Sequence, residues 1–235
     1  MSIIYINPFQ FAAAPVGPTD PDFANVSLLL HGDGTNGSTT IVDNSPSPKT
    51  VTAYGNAQIS TAQSKFGGAS IKFDGSGDYL LLGGQTDFAF GLLDFTIECF
   101  YFSLGAGGGN FGTIIDSRST SSIAGRFTFY HGGTMSLTFQ SQAGAIATSA
   151  LNTQQWYHLA VCRSSGVTRL FLDGVQAGSM TDNTDYTIGT NRPIIGSNVF
   201  AGAGLNGYID DLRITKGVAR YTSNFTPPTA PFPNA

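Results

Sequence analysis

The chain has 235 residues, 41% hydrophobic and 11% charged, with 18 Phe, 9 Tyr and 30 Gly. This content excludes a disordered polymer and suffices for one sizeable core, and the glycines suit many short strands joined by turns. A net charge of −4 with no basic run excludes the electrostatic footprint of a nucleic-acid binder, and no apolar run reaches membrane-spanning length.

In chain order, residues 1–22 read as an arm. Ile3, Ile4, Tyr5, Ile6, Phe9 and Phe11 form a short apolar segment, followed by a stretch carrying Pro15, Pro18 and Pro21 that opposes helix and favours an extended tether. The segment is too small to form a core. It is expected to attach either to the same sandwich as a first strand, to a sister subunit, or to another protein. The N-terminus lacks the basic start and small-residue cleavage site of a signal peptide, so synthesis in a cytoplasm and a soluble product are expected.

Residues 23–220 carry strand signals at the spacing of an all-β sandwich. The expected strands are 26–30, 50–54, 70–73, 79–82, 95–102, 112–115, 126–130, 134–140, 145–148, 156–163, 168–172, 175–179, 194–195 and 207–214. Asp173-Gly174 marks the clearest hairpin, because this pair supplies the positive φ angles of a type I′ turn. No segment sustains a helical apolar period, and 61–66 offers one or two turns at most. Cys99 and Cys162 each fall inside a strand-like apolar run and read as two free thiols. Residues 221–235 read as an extended, Pro-rich tail along the surface.

Six stretches in order resemble the laminin G-like, concanavalin A-like jelly-roll family: Leu28 to Gly34, Gly67 to Gly75, Phe95 to Glu98, Trp156 to Val161, Leu170 to Gly174, and Gly204 to Ile214. The resemblance implies a two-sheet antiparallel jelly roll. The run from Ile209 to Pro228 is similar to the ending common among bacteriophage structural proteins that carry this domain, which implies a virion component. Many domains of this family hold a structural Ca²⁺. The matching positions here are Asp33, Asp74, Gly75, Asp210 and Asp211, which are set against ordinary turn and backbone bonding by the same carboxylates.

Glycanase chemistry needs two carboxylates flanking the scissile bond. The chain has a single Glu, Glu98, and neighbours Asp210 and Asp211 would point to opposite faces of one strand. Asp43, Asp74, Asp78 and Asp87 fall in or near turns, and His31, His131 and His158 lack a nucleophile context. No catalytic constellation is read. Sugar sites pair an exposed aromatic with polar loop groups, which nominates Tyr54, Tyr186, Asn191 and Arg192, whereas the sole Trp, Trp156, reads as core.

The expectation is therefore a non-catalytic phage virion protein. It would be a capsid decoration protein held by its arm to capsid or tail protein, with a homotrimer implied by family analogy. The alternative is a tail fibre, spike or adaptor component with a module binding cell-surface glycan.

Overall fold

The structure, a computed structural model, describes residues 19–189, 192–198, 202 and 204–235. The strands among them are β1 (Val26–Leu30), β2 (Val51–Tyr54), β3 (Gln58–Ser60), β4 (Ser70–Asp74), β5 (Tyr79–Leu82), β6 (Phe95–Ser103), β7 (Gly112–Asp116) and β8 (Phe127–His131). They continue with β9 (Ser136–Ser141), β10 (Gly144–Ala150), β11 (Trp156–Ser164), β12 (Val167–Leu172), β13 (Val175–Thr181), β14 (Ile194–Ile195) and β15 (Asn206–Lys216). All pairings are antiparallel. An eight-stranded sheet runs β13-β12-β11-β6-β15-β4-β3 with β1 also on β15, and a seven-stranded sheet runs β10-β9-β8-β7-β14-β5-β2.

Each expected strand recurs within a few residues. β3 was not foreseen, because three residues are too few to display a period. The hairpin joining β12 to β13 turns at Asp173 (φ 47°) and Gly174 (φ 76°), both in the left-handed region as a type I′ turn requires.

The core lies between the sheets and follows strand alternation. Phe95, Ile97, Cys99 and Tyr101 of β6 face Phe127 and Phe129 of β8 and Leu137 and Phe139 of β9. Phe90, Phe95, Phe127 and Tyr186 form a cluster of rings at one end, with centroids 4.6–6.5 Å apart.

All nine residues of β6 are buried, so its outer face is covered as well. The cover is the C-terminal tail. Tyr221 and Phe225 stack on each other at 3.5 Å and pack on Ala160, Cys162 and Phe171. Phe232 is buried with Val26, Leu29 and Phe100, and its ring lies 3.8 Å from the Arg213 guanidinium. Backbone bonds fasten the path: Phe225 N–H donates to Gly174 O at 2.9 Å, Phe232 N–H to the Asp211 carboxylate at 2.8 Å, and Asp20 N–H to Ala235 O at 2.6 Å. The tail thus follows the surface as expected, but as a packed outer layer. Its prolines keep it from adding a strand, and its aromatics give it something to bury.

Cys99 and Cys162 are free and buried, Cys99 between the sheets and Cys162 beneath the tail. Burial pushes the Cys162 thiol up to about 12, so it packs as a small apolar group. Because the tail completes the outer layer, Phe232→Ala is expected to cost about 3 kcal/mol in urea denaturation. An unchanged unfolding free energy would show that the tail does not contribute to the fold.

Candidate functional site

With the eight-stranded sheet covered, the outer face of the seven-stranded sheet is the one left open. Its residues follow from alternation. Phe127 and Phe129 point into the core, so Thr128 and Tyr130 point out; Leu137 and Phe139 point in, so Thr138 and Gln140 point out. Register aligns Asp116, Thr128 and Gln140 across β7, β8 and β9, with Thr113 opposite Tyr130 alongside.

Thr113, Thr128, Tyr130 and Gln140 line a groove of about 210 Å³ with Phe111, Arg118 and Asn198. Phe111 is 44% exposed, and its ring lies 6.1 Å from that of Tyr130. The Thr128 hydroxyl is buried at the floor and has no hydrogen-bond partner among the described residues. Buried hydroxyls are normally satisfied, so an orphan facing a groove is a place for a ligand's polar group. The carboxylate aligned with this row, Asp116, accepts both Nε and Nη2 of Arg118 at 2.9 and 2.8 Å, a fork-on-carboxylate pair with no net charge. An aromatic wall, an orphan hydroxyl and a neutralised ion pair suit an uncharged, hydroxyl-rich ring.

Glu98 lies elsewhere, on the outer face of the eight-stranded sheet beneath the tail. It is fully buried and accepts Arg213 Nη2 and Nε at 2.8 and 3.0 Å and the Tyr221 hydroxyl at 2.9 Å. Arg213 and Arg220 both continue to Asp20. His158 Nε2 stands 3.3 Å from Glu98, an ion-pair contact whose angle is poor for a hydrogen bond. Burial by itself would raise the Glu98 pKa; the Arg213 charge and His158 overcome it and hold the carboxyl at about 2. The chain's only Glu is therefore a permanent anion that organises the fold.

The expected calcium set does not assemble. Asp74 pairs in register with Asn206, four positions before Asp210 on β15, a separation of about 13 Å along the strand. Asp74 accepts Asn56 Nδ2 and Ser76 N–H, and Gly75 belongs to the same turn. Asp33, Asp210 and Asp211 are close enough to act on one another electrostatically. Asp210 Oδ2 accepts Lys65 and Phe66 N–H at 2.7 and 3.1 Å, and the two oxygens of Asp211 accept His31 Nδ1 and Phe232 N–H. N–H donors thus occupy one oxygen of Asp210 and both of Asp211, and no group of three or more metal-ligating side chains forms among the described residues.

The opposite-face expectation for Asp210 and Asp211 also fails. A β-bulge between Asp210 and Arg213, with Asp211 at φ 49°, breaks the alternation and lets both serve the covered face.

The expected glycan contacts divide. Tyr186 is buried and donates its hydroxyl to Asp182 at 2.6 Å, so it is a core residue and cannot meet a sugar. Tyr54 is 40% exposed and stacks on Tyr79 at 4.6 Å on the same open face, three strands from β7, about 14 Å away. Arg192 donates Nε to the Arg118 carbonyl and so backs the groove. Asn191 and the arm residues Ile3, Ile4, Tyr5, Ile6, Phe9 and Phe11 lie outside the described residues. Trp156, expected in the core, is half-buried on the outer face beside Phe102. Asp43, Asp78 and Asp87 behave as turn residues: Asp43 accepts the backbone of Leu29, Ser45 and Lys49, Asp78 that of Asn56 and Asp74, and Asp87 pairs with Lys49.

A two-sheet antiparallel sandwich with one face closed and one face grooved is a lectin-type jelly roll. The laminin G model Laminin_G_3, described as the concanavalin A-like lectin/glucanases superfamily, matches residues 74–220, and the chain belongs to that superfamily. No curated protein matches the chain. Among solved structures, domain 4 of AbnA, an extracellular arabinanase of Geobacillus stearothermophilus solved with arabinotriose, is similar at 19% identity and TM-score 0.61, over 83% of this chain and 94% of that one. The receptor binding domain of botulinum neurotoxin D (16%, TM-score 0.61) and the binding domain of Paraclostridial Mosquitocidal Protein 1 (17%, TM-score 0.61) match over 84% and 83% of this chain and 50% of theirs. At these identities the likeness is one of fold.

The ion network sets the pH behaviour. Glu98 is held below its ordinary value, so its contribution is present above about pH 4.3 and is lost as pH falls toward 2. Asp210 is raised to about 7 by burial and by the Asp211 and Asp33 charges, against the two backbone N–H bonds, so its contribution is lost as pH rises through 7. The Asp210 contribution is full only below its unfolded value of about 3.9, so urea stability should peak near pH 4, fall on the acid side as Glu98 protonates, and decline as pH rises toward 7. Glu98→Gln should cost about 3 kcal/mol near neutrality and flatten the acid limb; an acid limb identical to that of the parent protein would contradict this assignment.

Proposed function

We propose that this protein is a non-catalytic glycan-binding module of a bacteriophage particle, with the groove on the seven-stranded sheet as its sugar site. The observation that carries the reading is the orphan Thr128 hydroxyl, buried in the floor of a groove walled by Phe111 and Tyr130. A sugar hydroxyl would satisfy Thr128 while the ring covers the aromatic wall. The chemistry of hydrolysis finds no support there, because Asp116 is tied to Arg118 and Glu98 is buried on the other sheet. The superfamily includes lectins, and an arabinanase domain of this fold was solved with arabinotriose, which accords with the reading.

A second reading, attachment to the capsid or tail through the arm as a decoration or adaptor protein, is supported by where the described chain begins. Asp20 is clamped by Arg213, Arg220 and the Ala235 carbonyl on the outer face of the eight-stranded sheet. The arm's root and the groove therefore belong to opposite faces, so one side can be anchored while the other is displayed. Self-association as a homotrimer forms part of this reading.

On a glycan array the protein should bind at least one glycan class. Tyr130→Ala and Thr128→Val should each weaken binding about tenfold, the equivalent of roughly 1.4 kcal/mol. Absence of binding to every glycan would defeat the sugar reading. Deleting residues 1–11 should leave the melting temperature unchanged and abolish incorporation into particles; normal incorporation of the truncated protein would defeat the anchoring reading.

A further inference from the structure

A second depression lies on the opposite side of the molecule, between the tail and the outer face of the eight-stranded sheet. It encloses about 460 Å³. Pro227 and Pro228 form one wall, and Phe66, Phe100 and half-buried Trp156 supply aromatic surface. Lys65 stands at the rim with Nζ 5.8 and 5.2 Å from the Phe66 and Phe100 ring centroids. His158, 1% exposed, closes the floor.

The histidine points to the ligand. Nε2 stands 3.3 Å from the Glu98 carboxylate, and neither buried ring nitrogen has a hydrogen-bond partner among the described residues. A buried imidazole nitrogen left unpaired calls for a group that can donate or accept according to the tautomer. Lys65 is a pure donor and calls for an acceptor. A molecule that suits both must carry donor and acceptor groups around an apolar face able to cover Trp156. A sugar ring has that arrangement, since each hydroxyl both donates and accepts. A plain hydrocarbon would leave both polar groups unpaired, at a cost for each.

We propose that this crevice is a second sugar-binding site, which takes one ring of a glycan between Trp156 and the tail, with one hydroxyl paired to the His158 imidazole and another accepting from Lys65. It does not rest on the groove of the other sheet. The tail is part of the site, so occupancy and tail docking stabilise each other.

Trp156 is the only tryptophan, so its emission reports on this crevice alone. The full chain would be titrated with methyl glycosides of a hexose, a pentose, an N-acetylhexosamine, a uronic acid and a sialic acid. At least one should give a saturable emission change. Lys65→Met and His158→Phe should each weaken that titration about tenfold, with circular dichroism confirming the fold; Lys65 is exposed, so its variant keeps the test valid if His158→Phe unfolds. Tyr130→Ala in the groove should leave the emission titration as it was. No saturable change with any glycoside, or a change that persists in the Lys65 variant, overturns the proposal. Array binding without an emission change would sink the crevice and spare the groove, and an emission titration in a protein whose array binding ignores Tyr130→Ala would do the reverse.

Discussion

The Glu98–Arg213 ion pair beneath the C-terminal tail is the constraint on which the rest depends. A charge this deeply buried persists only when it is fully partnered, and its partners come from four places in the chain: Arg213 on β15, His158 on β11, Tyr221 at the start of the tail, and Asp20 through the arginines. Satisfying it draws the first and last described segments onto one outer face. The aromatic packing of Tyr221, Phe225 and Phe232 then seals that face. A sandwich has two outer faces, and with the tail packed on one, the outer face of the seven-stranded sheet carries no such cover among the described residues.

This division accounts for the burial of the lone Glu beneath the tail and for the open row of side chains in the groove. The superfamily couples lectins and glucanases on one scaffold, and what separates them is the site. Here the open face carries an aromatic wall, an orphan hydroxyl and a carboxylate neutralised by its own arginine, while the anion capable of chemistry is spent on holding the layers together.

Much of the fold was legible in the sequence, because alternation and turn chemistry are local. Asp173-Gly174 announced its hairpin, and runs such as 126–130 and 134–140 announced strands of the grooved face. The groove itself was missed for an identifiable reason: candidate residues were sought in loops, whereas Thr128, Tyr130 and Gln140, which line it, are the outward members of strands whose inward members are Phe and Leu. The signal was the polar half of the alternation. Tyr186 misled because its surroundings are polar, yet Asp182, four residues earlier, receives its hydroxyl inside the protein. The calcium set failed because pairing register, which places Asp74 beside Asn206, is a long-range property. The docking of the tail was hidden for the same reason, since composition marks a Pro-rich segment as extended without saying what it lies on.

The most direct test of the proposed site on the seven-stranded sheet is chemical-shift mapping of the isotopically labelled protein with a glycan selected from the array. The account predicts perturbed resonances at Thr113, Thr128, Tyr130 and Gln140 across β7, β8 and β9. Shifts confined to other parts of the molecule, with these four unmoved at saturation, would contradict it.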